Sequence, residues 1–102
     1  MTKPKQHSTA NVSLQVLPSV PPEEVYPVVD QVIALIADAG IRYEVGPMET
    51  TMEGDLDTLL EIVRKAQYLC IEAGAGSVMS IVKIHYKPEG VTIDEKVGKY
   101  RR

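Results

Sequence analysis

The chain has 102 residues, of which 44% are hydrophobic, and a formal charge of −3. That length suits one domain, and a chain of this size buries roughly two thirds of its unfolded surface, enough for a single core. The acidic balance and the absence of a long Lys/Arg run exclude nucleic acid as the main partner, since phosphate neutralisation needs clustered cations.

Cys70 is the only cysteine, which rules out an intrachain disulfide, and its place in an apolar helical pattern reads as a buried structural thiol. No run approaches the ~20 apolar residues of a membrane helix. The opening "MTKPKQHSTA" has charge but no apolar centre, so it is not a signal peptide. The expectation is a cytoplasmic protein without membrane or nucleic-acid partners.

In chain order, residues 1–10 are polar and read as a flexible terminus. "NVSLQVL" alternates from Asn11, with Val12, Leu14 and Val16 on one face and Ser13, Gln15 and Leu17 on the other, which predicts a strand. "PSVPP" ends it. Val25, Val28, Val29, Val32, Ile33 and Ile36 recur at helical spacing, with Pro22 and two glutamates at the start and Gly40 at the stop. Pro27 lies about a turn in, so it either kinks the first turn or moves the true start later.

"IRYEV" predicts the second strand, Gly46-Pro47 a two-residue turn, and "METTME" the third strand. With that turn Val45 opposes Met48, and Met48, Thr50 and Met52 continue the apolar face, while Glu49, Thr51 and Glu53 take the other. Asp55 is placed to cap a helix carrying Leu56, Leu59, Leu60, Val63, Ala66 and Cys70 as its stripe. "SVMSIVKIHYK" predicts the fourth strand, with Val78, Ser80, Val82, Ile84 and Tyr86 on one face. Residues 88–102 form a tail anchored only by Val91, Ile93, Val97 and Tyr100.

The order βαββαβ, with right-handed crossovers and one central hairpin, predicts an α+β ferredoxin-like domain over 11–87: a four-stranded antiparallel sheet with both helices on one face. Alternation then puts the hydroxyls of Thr50 and Ser80 under the helices, about 10 Å apart at the backbone. A buried hydroxyl without a partner costs about 1–3 kcal/mol. Either each bonds a nearby carbonyl, or, with flexible Met48 and Met52 beside them, they serve a pocket for a flat polar-edged ring.

The stretch "YEVGPMETTMEG" resembles the signature of the thiamine-binding protein family, small proteins once described only as a domain of unknown function. The family pattern Tyr-x-Val-Gly-Pro-Met-Gly-Thr-x-(aliphatic)-Glu-Gly is met by Tyr43, Gly46, Pro47, Met48, Thr50, Glu53 and Gly54. "DLDTLLEIV" and "SIVKI" extend the likeness over residues 11–87. Glu49 stands where a glycine is common and Ser77 where many members carry arginine, changes that bear on the pocket mouth and on an oligomer contact or ligand reach.

The resemblance implies a ferredoxin-like subunit, assembled as a homodimer or homotetramer, that binds thiamine or its hydroxymethylpyrimidine half without catalysis and without a cofactor. The ligand residues it implies are Thr50, Ser80, Tyr43, Met48 and Glu53. Thr50 and Ser80 would meet the aminopyrimidine, Tyr43 would wall the pocket, and Glu49 or Glu53 would face the thiazolium cation. Those glutamates fall on the opposite sheet face, so they would reach the ligand only at the strand end or from a partner. No Gly-rich loop with a lysine opens a helix, which favours unphosphorylated ligands.

An enzyme is disfavoured: neither His7 nor His85 neighbours a nucleophile, and no His/Cys/Asp spacing suits a metal. The outer sheet face, with Ser13, Gln15, Leu17, Thr51, Met79, Ile81 and Lys83, is too apolar to be fully wet. It predicts sheet-to-sheet assembly, or screening by the tail. The alternative function is an assembly or regulatory module that works through that face with no small ligand.

Overall fold

The computed structural model describes residues 8–101. Its elements are β1 (Thr9–Pro18), α1 (Val25–Asp38), β2 (Arg42–Val45), β3 (Thr50–Asp55), α2 (Leu56–Glu72), β4 (Val78–His85) and a short α3 (Ile93–Val97), with 3-10 turns at Pro22–Glu24 and Gly98–Tyr100. The strands form one antiparallel sheet in the order β2-β3-β1-β4. This α+β arrangement is consistent with a ferredoxin-like fold, with α3 added after the last strand.

Register explains the layering. Val12 lies between Met52 and Ile84, and Leu14 between Thr50 and Val82, so these residues share a face. Ala10, Val12, Leu14, Val16 and Met52 meet Val28, Val32 and Ile36 of α1 and Leu59, Ile62, Ala66 and Cys70 of α2 in one buried cluster. Both long helices therefore cover the same side of the sheet.

The α2 stripe runs through Ile62 rather than Leu60, which is 37% exposed. The helix axis is set by Leu59, Ile62, Ala66 and Cys70, at spacings of three, four and four. Asp55 caps α2 as its pattern predicts, accepting from Thr58 N at 3.0 Å. The α-helical part of α1 begins at Val25, so Pro27 falls within the first turn, where its missing N–H breaks no intrahelical bond.

Two boundaries differ from the sequence reading. Strand β1 starts at Thr9, and Ala10 is fully buried, so only residues 1–7 of the expected loose terminus lie outside the described residues, His7 among them. The hairpin turn is longer than two residues. Val45 pairs with Thr50, not Met48, and Gly46 N donates to Glu49 O at 2.8 Å. Residues 46–49 form the loop, and Met48 is 73% exposed. Gly46 is held to glycine by proximity: a Cβ there would lie 2.9 Å from Glu49 O.

The tail folds back across the outer face. Val91 N donates to Thr9 O at 2.9 Å, and Val91 and Ile93 are buried. Thr92 and Glu95 make a reciprocal capping box at the start of α3. Arg42 Nη2 meets Asp94 at 2.7 Å, Glu53 accepts from Ile93 N at 2.5 Å, and Lys96 Nζ donates to Asn11 Oδ1 at 2.8 Å. The other half of that face, Leu17, Met79 and Ile81, is 43%, 68% and 47% exposed.

Candidate functional site

A cavity of about 270 Å³ opens between α1 and the sheet at the hairpin end. Its walls are mostly hydrocarbon: Leu14 and Val16 from β1, Val29, Val32 and Ile36 from α1, and Val45 from β2. The hairpin loop, Gly46 to Glu49, forms its rim, and Thr50 supplies a hydroxyl. Thr50 is buried as a residue and its side chain lines the cleft. An apolar cleft with a few placed polar groups is the usual form of a small-molecule site.

Two of the five expected site residues, Thr50 and Met48, come together here. Met48 reaches the cleft from the loop rather than from a strand. Ser80 does face the helices, opposite Val16, but lies under α2. Its hydroxyl donates to Gln67 Oε1 at 2.6 Å, and Gln67 Nε2 in turn donates to Val63 O at 2.9 Å. Tyr43 pairs with Met52 and packs against the core from the edge strand, outside the cavity lining. Glu53 lies on the opposite face, where it accepts from Ile93 N and Asn11 Nδ2 and stands 3.9 Å from Arg42.

The sequence reading did not single out Tyr26. It is 79% exposed on the first turn of α1 and lines the same cleft, placing an aromatic ring at the mouth. An exposed tyrosine beside the apolar stripe of an amphipathic helix was its only signal.

Glu49 borders this cleft and also a second cavity on the outer face. Its carboxylate pairs with Lys83 Nζ at 2.9 Å. Lys83 holds it below the usual carboxylate range; its partial burial opposes this and the nearby Ser13 hydroxyl adds to it. Arg101 pairs with Glu44 on the far side of the loop. Cys70 is enclosed in the core, and burial pushes its thiol pKa up, so it is no candidate nucleophile. Among the described residues no group of three or more His, Cys, Asp or Glu is arranged to hold a metal, and no helix is long and apolar enough to cross a membrane.

A family model described as "Thiamine-binding protein" matches residues 12–101, tail included. The chain belongs to the thiamine-binding protein family. The match continues past the expected end of the likeness, through α3. A UPF0045 protein of Clostridium perfringens is 67% identical over 93 residues, 91% of this chain and 98% of the relative. Among solved structures, a domain of unknown function (DUF77) from Bacillus cereus superposes with a TM-score of 0.88 at 49% identity, covering 97% of this chain and 96% of that one. A Thermotoga maritima protein, provisionally assigned to thiamine biosynthesis or salvage, gives 0.83 at 38% identity over 91% and 99% of the two chains.

Proposed function

We propose that this member of the thiamine-binding protein family binds thiamine, or its hydroxymethylpyrimidine half, in the cleft between α1 and the hairpin, and does so without catalysis. The observation that carries the reading is the apolar cleft itself, which sets the Thr50 side chain in its wall and loop 46–49 of the family signature at its rim. An aminopyrimidine supplies both a donor and ring acceptors for the Thr50 hydroxyl. The relative assigned to thiamine biosynthesis or salvage supports the same ligand class.

Met48 and Tyr26 then close on the ring from loop and helix, one as an adaptable thioether and the other as a stacking face. Glu49, at the rim, is the carboxylate within reach of a thiazolium. On this reading the cation meets Glu49 at the strand end, rather than Glu53 on the opposite face. Tyr43 and Ser80 act behind the site, through packing and through Gln67. The fold is taken as a ferredoxin-like βαββαβ core with an added strap, working in the cytoplasm.

Isothermal titration of the full chain with thiamine, hydroxymethylpyrimidine and thiamine diphosphate tests this. The first two should bind, and the diphosphate more weakly. No heat from any of the three up to about millimolar ligand, an affinity of about −4 kcal/mol, overturns it. A second reading, assembly through the outer face, is favoured by exposed Leu17, Met79 and Ile81. We propose that two copies pair there, sheet to sheet, as a homodimer or as half of a homotetramer.

A further inference from the structure

Among the described residues lining the Thr50 cleft, Glu49 alone carries a charge. Its backbone belongs to the rim, where its carbonyl accepts from Gly46 N at 2.8 Å. Its carboxylate turns the other way, to the outer face of the sheet. Ser13 of β1 and Lys83 of β4 stand side by side there, fixed by register. Lys83 Nζ lies 2.9 Å from Glu49 Oε1, and the Ser13 hydroxyl stands against the same carboxylate. Ser13 is buried and the Glu49 side chain is partly so, which makes this a half-dry berth for one negative charge. The nearest other carboxylate of the hairpin, Glu44, is committed elsewhere: it pairs with Arg101 and stands 3.7 Å from Arg42.

On the cleft reading above, a thiazolium at the rim draws on the Glu49 carboxylate. To meet that cation the carboxylate must leave Lys83 and Ser13. The free energy of leaving is subtracted from the affinity, as for any ligand that selects a minor arrangement. A neutral pyrimidine asks nothing of Glu49 and bears no such loss.

We propose that Lys83 and Ser13 are positioning residues that set charge selectivity: by holding Glu49 on the outer face, they turn the cleft against cationic thiamine and toward its neutral hydroxymethylpyrimidine half. This role rests on the cleft reading. A glycine at position 49, common in the family pattern, has no carboxylate to hold, so the device belongs to chains that carry the glutamate.

Calorimetry on the full chain compares thiamine with hydroxymethylpyrimidine in the parent and in variants. Lys83→Met should tighten thiamine about threefold, the scale of a part-exposed ion pair, and leave hydroxymethylpyrimidine within about twofold. Ser13→Ala should move the ratio of the two affinities in the same direction. In a Glu49→Gln background, Lys83→Met should no longer move it, since the coupling runs through the carboxylate. Carbon NMR of the Glu49 carboxyl adds a readout without ligand: its titration midpoint should rise in Lys83→Met, because Lys83 holds it low.

A ratio that stays put or falls in Lys83→Met overturns the proposal and leaves the cleft reading standing. Equal weakening of both ligands does the same, and would make Lys83 a support of the loop. An unmoved Glu49 midpoint also overturns it. Hydroxymethylpyrimidine that fails to bind the parent chain removes the cleft reading and this role together.

Discussion

Thr50 shows how much one oxygen can decide. Its neighbours in register, Leu14 and Val45, are hydrocarbon, and valine would fill the same volume with better strand propensity. Thr50→Val should therefore leave the far-UV spectrum and melting temperature intact. Thiamine affinity should fall by about 1–3 kcal/mol, since only the ligand bond is removed. Unchanged affinity in calorimetry would place the ligand elsewhere. The sequence placed this hydroxyl inside because strand alternation is strict. It could not show that Ser80, on the same face, is satisfied by Gln67, because that pairing depends on how α2 is rotated over the sheet.

At the scale of elements, periodicity carried most of what could be read. The four strands and two long helices come from patterns of period two and 3.6 that local chemistry does not disturb. The hairpin failed because Gly-Pro looks like a complete turn, whereas the backbone closes between Gly46 and Glu49 and moves Met48 off the strand. The strap was legible in principle. Thr92 and Glu95 have capping-box spacing, but five helical residues give no amphipathic repeat to notice.

Caps and strap each yield an expected outcome. Asp55→Ala removes the acceptor for Thr58 N and should cost about 1 kcal/mol in urea unfolding, with the slope unchanged. The strap responds to acid. Arg42 holds the Asp94 carboxyl below its ordinary range, so the pair's contribution is complete above the usual aspartate pKa and disappears as pH falls through the lowered value. Amide exchange at Val91 and Ile93 should thus be flat through neutral pH, once corrected for intrinsic rates. Excess exchange should appear only on acidification below about pH 4. In Asp94→Asn that acid-dependent step should shrink. A step of unchanged size would assign strap release to other carboxylates.

For the whole molecule, the outer face divides into two halves with different fates. Its Asn11–Glu53 half lies under the tail, and its Leu17–Met79–Ile81 half stays open. Ile81→Glu puts a charge at the centre of the open half, opposite Gln15. Light scattering after sizing should report an oligomer for the parent chain at micromolar concentration and a monomer for the variant. Monomeric mass in both would leave the open patch without a copy to cover it.

The strand order has a consequence in time as well as space. The central strand β1 leads the chain, yet Leu14 meets Thr50 and Asn11 meets His85, partners that emerge much later from a ribosome. Until they arrive, β1 offers both edges with nothing beside them, while the β2–β3 hairpin can zip up alone. Closing such long loops before any reward slows barrier crossing, so stopped-flow refolding should take milliseconds to seconds, not microseconds.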